Sequence, residues 1–343
     1  MLYRLFGSSG LRVSELFLGA MTFGEQGGVG APPEECARML DAYTEAGGNF
    51  IDTAVNYRGG ASETILGNLL AGRRDRFVLA TKYTVTRDGN DPNAAGNHRK
   101  NMRLSLETSL RRLQTDYIDV YWVHIWDSNT PIEETLRALD DAVSQGKILY
   151  AGISDAPAWL VARANTLAEW RGWVPFAGLQ VPYSLLQRDI ERELIPMATE
   201  FGMSVAAWSP LAGGVLSGKF TIPGRQVAAS RISPETVSEN DHAIVRAVQD
   251  VAKELGVTCS QVAIAWTMAR TNAVHPIIGA RSSDQLAENL GALDVKLPPE
   301  AIARLEKATG FEAGFPANFI EGSTRFVYGQ AADRVIARSK RLT

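Results

Sequence analysis

Asn49-Phe-Ile-Asp52, Phe77-Val-Leu-Ala-Thr-Lys82 and Ile118-Asp-Val-Tyr-Trp-Val-His124 are the three runs that decide how this chain folds. Each is apolar and rich in β-forming residues, and each closes on an ionisable side chain. A charged group at the end of a buried strand is costly as core and useful as chemistry. Three such ends in succession point to one site at the mouth of a parallel barrel, with Asp52, Lys82 and His124 on neighbouring strands. Tyr57 follows in Asp52-Thr-Ala-Val-Asn-Tyr57 and can lean over the same pocket.

Outward from these runs, strand-like and helix-like segments alternate almost throughout, the pattern of βαβ units and a parallel sheet. Strands are expected to end near Gly19, Asp52, Lys82, His124, Ser154, Val181, Trp208 and Ile278. Amphipathic segments at 33–46, 63–71, 97–113, 132–145, 159–170 and 189–201 separate them. Pro33 and Pro131 stand where a first helical turn tolerates proline, and Gly47, Gly146 and Gly202 stand where helices stop. The interval from Trp208 to Val274 is about twice what one βα unit needs. It holds a glycine-rich stretch, a Pro/Gly/Ser-rich loop at 223–234 and two helix-like segments, 235–255 and 260–271. Long loops in compact domains are usually functional. The expected fold is α/β: a (β/α)8 barrel over residues 1–343, read as one domain. It has an N-terminal β-hairpin, a long loop after strand seven and a C-terminal tail (311–343) over the mouth. A doubly wound open sheet is weakened because no GxGxxG follows an early strand.

Composition narrows the partners. The 343 residues carry a net charge of -3, which leaves no electrostatic footprint for nucleic acid. No apolar stretch approaches the roughly 20 residues of a membrane span, and the start lacks a signal-peptide core. Cys36 and Cys259 show no metal-like spacing, and the four histidines are scattered, so a reduced, cytoplasmic protein without a metal site is expected. Oligomeric state is not readable.

The four polar residues suit proton transfer to a carbonyl oxygen. A free tyrosine, with a pKa of about 10, is a poor acid–base group near neutrality. A nearby ammonium lowers that value, and a buried carboxylate keeps the lysine charged and aimed. Taken singly, Asp52 could be a turn residue, Lys82 could snorkel and His124 could be a core histidine. Their joint occurrence in order is what carries weight.

These segments resemble the aldo-keto reductase superfamily, on Phe50-Ile-Asp-Thr-Ala-Val-Asn-Tyr57, Ala80-Thr-Lys82, Val123-His-Ile-Trp-Asp127, Gly59-Gly-Ala-Ser-Glu63 and Leu66-Gly67. Within it the resemblance is to the aryl-alcohol dehydrogenase-like and potassium-channel β-subunit-like branch. The resemblance implies a TIM barrel that binds NADPH (NADP+) in extended form, with Tyr57 as acid, Lys82 and Asp52 tuning it, and His124 positioning a substrate carbonyl. It also implies Ser154 and Gln180 on the nicotinamide amide and Trp208 stacked on the ring, with Asp155 standing where Asn or Arg is common. Ser209-Pro-Leu-Ala-Gly-Gly-Val-Leu-Ser-Gly-Lys219 is rich in small residues whose N–H groups can approach a pyrophosphate, through Ser209, Leu211, Gly213, Gly218 and Lys219. Its near match to a phosphate-binding P-loop fails at Phe220, where a hydroxyl should ligate magnesium. Past Gly279 the chain enters a helix N-terminus, which favours anions. Arg281 there can fork onto a 2′-phosphate, arguing for NADPH over NADH. By resemblance Gln285, Glu288 and Asn289 contact the adenosine.

The substrate is expected to be a small-molecule carbonyl or alcohol. Phe23, Trp122 and Trp126, with Met21, Phe315 and Phe319, suggest an aromatic-lined pocket formed by loops 23–32, 83–97 and 126–130 and the tail 311–328. The leading function is a reversible NADPH-dependent carbonyl reductase. The alternative is an NADPH-holding, redox-sensing regulatory subunit with little turnover. A metal-dependent hydrolase lacks clustered ligands.

Overall fold

The computed structural model describes residues 1–28, 30–221 and 232–335; most of the 223–234 loop and the last eight tail residues lie outside it. A two-stranded antiparallel hairpin comes first, β1 (Tyr3–Leu5) and β2 (Arg12–Ser14). Eight parallel strands then close a barrel: β3 (Phe17–Gly19), β4 (Phe50–Asp52), β5 (Val78–Tyr83), β6 (Ile118–Val123), β7 (Ile148–Ser154), β8 (Phe176–Pro182), β9 (Ser204–Trp208) and β10 (Val274–Ile278). Each strand pairs with the next, and β10 pairs with both β9 and β3. All residues of β4, β5, β6 and β10 are buried. That explains why these strands read as continuous apolar runs rather than alternating ones.

Among the described residues ten helices cover the outside: α1 (Pro33–Glu45), α2 (Ala61–Leu70), α3 (Arg99–Leu113), α4 (Ile132–Ser144), α5 (Ala158–Arg171), α6 (Leu194–Glu200), α7 (Glu239–Leu255), α8 (Cys259–Ala269), α9 (Ser283–Leu290) and α10 (Pro299–Thr309). Several bounds differ from the sequence expectation by a residue or more, and three of the differences have a local reason. Helix α2 starts two residues early, behind Gly60, whose φ of 96° only glycine adopts readily. The segment expected as one helix over 189–201 splits into a 3-10 turn, Asp189–Glu191, and α6. Helix α7 starts at Glu239 rather than Glu235, because Ser238 and Asp241 form a capping box there.

The hairpin plugs the bottom of the barrel. Phe6 inserts between Phe50, Trp122 and Tyr150, with ring centroids 5.9 to 6.4 Å apart. Gly7, at φ 59°, turns the chain against Ala177 so closely that a Cβ would stand 2.4 Å from its carbonyl oxygen. The seam is tied across the whole chain. Arg4 donates to the Val274 carbonyl at 3.2 Å, and His275 Nδ1 lies 3.2 Å from the Ser14 carbonyl.

The tail continues as two short helices, α11 (Ala317–Gly322) and α12 (Thr324–Tyr328). None of residues 311–335 is buried, and Phe315 and Phe326 are 85% and 90% exposed. The aromatics expected to line a pocket therefore face solvent, with Phe315 and Phe319 against each other at 6.2 Å. Among the described residues no helix is long and apolar enough to cross a membrane.

Candidate active site

Asp52 and Lys82 end adjacent strands, and their side chains meet inside the mouth. The Lys82 ammonium, fully buried, donates to Asp52 Oδ2, to the Thr53 carbonyl at 2.7 Å and to the Tyr57 hydroxyl at 3.2 Å. Gln180, from β8, donates to the other Asp52 oxygen at 3.0 Å. His124, just past β6, sets its ring edge-on to Tyr57 with centroids 5.7 Å apart. All four expected residues thus converge.

Tyr57 reaches the pocket because its loop is stitched to β5. Thr53 N–H donates to the Ala80 carbonyl and Val55 N–H to the Lys82 carbonyl. After Tyr57 the backbone passes through a left-handed run, Arg58, Gly59 and Gly60. Arg112, from α3, packs against Gly60 and donates to the Val55 carbonyl at 2.7 Å and to Glu63 at 3.2 Å. Glu63 is fully buried and also accepts from Thr81 at 2.7 Å. This brace was missed from sequence. Its signal was Glu63 itself, an acidic residue three places past the Gly59-Gly60 pair, on the helix face that also buries Leu66 and Leu70.

Burial pushes the Asp52 carboxyl up, opposed by the Lys82 ammonium and the Gln180 amide. Burial alone would push Lys82 down, but Asp52 and Tyr57 outweigh it and hold the ammonium charged. For Tyr57 burial wins over the Lys82 ammonium, so its phenol lies above its ordinary value. This corrects the expectation of a net-lowered tyrosine: the free protein holds a neutral phenol ready to donate. Burial, then the Lys82 charge, pushes His124 down to about 3, so its imidazole is neutral. A neutral ring offers one donor and one acceptor, and its Nδ1 is buried without a hydrogen-bond partner among the described residues.

The next strand ends continue the rim. Ser154 and Gln180 are buried, and Trp208 is 38% exposed beside them. Asp155 takes a left-handed φ of 47° and accepts a hydrogen bond from the Trp208 indole at 3.2 Å. These groups fit a carboxamide: Ser154 can donate to its oxygen, while the Gln180 oxygen and Asp155 can accept from its NH2. In the following loop Ser209 and Ala212 also turn left-handed, as do Gly213, Gly214 and Gly218. The Gly213, Gly214 and Gly218 N–H groups bond within the loop, Gly213 to Ser209 Oγ at 3.1 Å. Lys219 lies over the Phe220 ring at 4.9 Å.

Past Gly279, the Arg281 N–H donates to Gln285 Oε1 at 3.0 Å, and Ser282 caps α9 by accepting from the Gln285 N–H. Asn289 is buried. The helix N-terminus expected to take an anion already holds one, because the Ser283 N–H donates to the Glu35 carboxylate from α1.

Two expected substrate residues are corrected. Trp122 is fully buried beneath the site, filling the space over Gly152 and Gly178, where a Cβ would stand 2.3 and 2.8 Å from its ring. Its parity is inward, but its height is one layer too low. Phe23 is buried outside the strands, in a bridge with Ala31. Trp126 does stand at the mouth, edge-on to Trp159 at 5.8 Å. Trp159, 59% exposed at the start of α5, was not singled out from sequence. Asn97 clasps the loop that carries Trp126: it donates to the Ile125 carbonyl at 3.1 Å and accepts from the Asp127 N–H at 2.6 Å.

The comparisons agree with this geometry. Residues 15–309 match the model of the aldo/keto reductase family. An aryl-alcohol dehydrogenase of Pestalotiopsis microspora is 40% identical over 91% of this chain and 83% of its own length. A norsolorinic acid reductase of Aspergillus flavus is 39% identical over 92% and 83%. An NADP(+) aryl-alcohol dehydrogenase of Phanerodontia chrysosporium is 37% identical over 94% and 90%. A match over most of the chain, on a closed barrel whose strand ends carry the expected polar residues, makes this oxidoreductase a member of the aldo/keto reductase family.

Proposed function

We propose that this chain is an NADPH-dependent carbonyl reductase, reversible as an alcohol dehydrogenase, acting on aryl aldehydes or ketones. One observation carries the reading: the Tyr57 hydroxyl stands 3.2 Å from a fully buried ammonium that is itself held by Asp52. The names of the relatives support the aryl class, and Trp126 and Trp159 at the mouth fit flat, apolar substrates. When bound, NADPH supplies the hydride.

The chain's own residues then handle the proton and the geometry. Ser154 and Gln180 hold the carboxamide, Trp208 offers a ring face, and Arg281 serves the 2′-phosphate. Neutral His124 donates a hydrogen bond to the carbonyl oxygen and orients it. Tyr57 gives its phenolic proton to that oxygen as charge develops there. The Lys82 ammonium stabilises the phenolate left behind, and Asp52 keeps that ammonium in place. Brace residues Glu63 and Arg112 fix the loop so that the proton travels a short, set distance.

The test follows NADPH oxidation across a panel of aryl and aliphatic carbonyls, with Tyr57→Phe as control. Turnover on aryl aldehydes that vanishes in the variant is expected. Tight NADPH retention without turnover on any carbonyl would sink the enzyme reading in favour of a regulatory subunit.

A further inference from the structure

Asp155 is the point where this site departs from an amide-lined carboxamide pocket. Its backbone is left-handed, a conformation that non-glycine residues adopt at a cost, Asn and Asp being the most tolerant. Its N–H donates to the Gln180 carbonyl at 3.2 Å, which fixes the residue to β8. Its carboxylate oxygen takes the Trp208 indole N–H at 3.2 Å. The carboxylate therefore sits at the edge of an indole that is 38% exposed at the end of β9.

A nicotinamide ring gains a formal positive charge when it gives up hydride and loses that charge when it takes hydride back. A fixed negative charge at the ring edge therefore interacts with the two redox forms unequally. At separations of a few ångströms and partial exposure, charge–charge interaction energies are large enough to shift binding by about an order of magnitude. The site's other carboxylate, Asp52, is already paired with the Lys82 ammonium.

Resting on the reading of Trp208 as the nicotinamide platform, we propose that the Asp155 carboxylate biases the bound cofactor toward its oxidised, cationic form. The residue is thereby a positioning and tuning group that favours hydride transfer from the bound cofactor to the carbonyl, beyond any role in holding the carboxamide. Burial raises its carboxyl from the ordinary range, while Trp208, Ser154 and Lys82 pull it back. A cation beside it acts in the same direction as Lys82.

The experiment measures dissociation constants for NADP+ and for NADPH separately, by tryptophan fluorescence quenching, in the wild type and in Asp155→Asn. Asparagine tolerates the left-handed backbone and can still accept from the Trp208 indole, so only the charge is removed. The ratio of the NADP+ to the NADPH constant is expected to rise about tenfold. Asp155→Ser, which removes the charge and the indole bond together, should move the ratio the same way. A ratio unchanged within twofold in Asp155→Asn overturns the proposal, as does a shift confined to the Ser variant, which would assign the effect to the lost indole contact. Failure of the wild type to bind either nucleotide is a different result, and it overturns the cofactor reading itself.

Discussion

The two ends of this barrel each hold a histidine, and they treat it in opposite ways. At the bottom His275 is fully buried, stacked on Phe17 at 4.7 Å, with the Ser14 carbonyl and the Ser204 hydroxyl on its two nitrogens. At the mouth His124 has one buried nitrogen without a partner among the described residues, and shares its pocket with an ammonium and a phenol. Burial pushes both imidazoles down to about 3. The same perturbation is thus structural where every polar atom is satisfied and chemical where one is left open. A shifted pKa alone would not tell the two ends apart.

The widest expected separation between the two ends comes from Tyr57→Phe. It should lower kcat by about a thousandfold, within the range for a lost general acid, while nucleotide affinity stays within twofold. Retained turnover would remove Tyr57 from its role. At the other end, Phe6→Ala should cost about 3–5 kcal/mol in a denaturant titration, yet leave the kcat of the folded fraction unchanged. A matching loss of kcat would show that the plug and the mouth are coupled.

Acid sharpens the comparison next. The unfolded histidine value is about 6.5, and the folded His275 value is depressed, so the unfolded chain takes up that proton first as pH falls. Stability should therefore decline below about pH 6.5, by up to about 1.4 kcal/mol per pH unit from His275, levelling near pH 3. His275→Gln should flatten the dependence of Tm on pH between 6.5 and 4.5; an unchanged slope would contradict the assignment. Because His124 is already neutral, the kcat profile should show no histidine inflection near pH 6.5.

At the mouth alone, Trp159→Ala should raise KM about tenfold for aryl aldehydes and much less for short aliphatic ones. Equal effects on both would move Trp159 out of the pocket. The smallest expected effects form a pair of opposite sign. Arg281→Ala should lower the preference for NADPH over NADH, and Glu35→Gln, which empties the α9 N-terminus of its internal anion, should raise it. Binding titrations with both nucleotides check the two together, and a shared sign would break the electrostatic argument.

The barrel and its reactive residues were legible in the sequence for one reason. Fully buried parallel strands read as apolar runs, and an ionisable residue at the end of such a run has few structural excuses. What escaped detection depends on height and distance instead. Parity shows that Trp122 points inward but not that it lies a layer below His124. Phe6 follows a three-residue hairpin strand too short to show a periodicity that would mark it as the barrel's plug. Glu63 and Arg112 are 49 residues apart, and only the packing of α2 on α3 joins them. The solvent-facing tail aromatics show the converse error, since aromatic composition was read as a pocket without a partner surface to support it.

The seam between β10 and β3 has a temporal consequence. Strands β3 to β9 can pair in the order in which they are synthesised, but the ring stays open until β10 emerges more than 250 residues after β3. Until then β3 and β9 present unpaired edges, and the hairpin contacts from Arg4 and Ser14 have nothing to close on. The last strand is therefore the clasp of the nascent chain, and the interval before it arrives is when the chain is most open to chaperones and to aggregation.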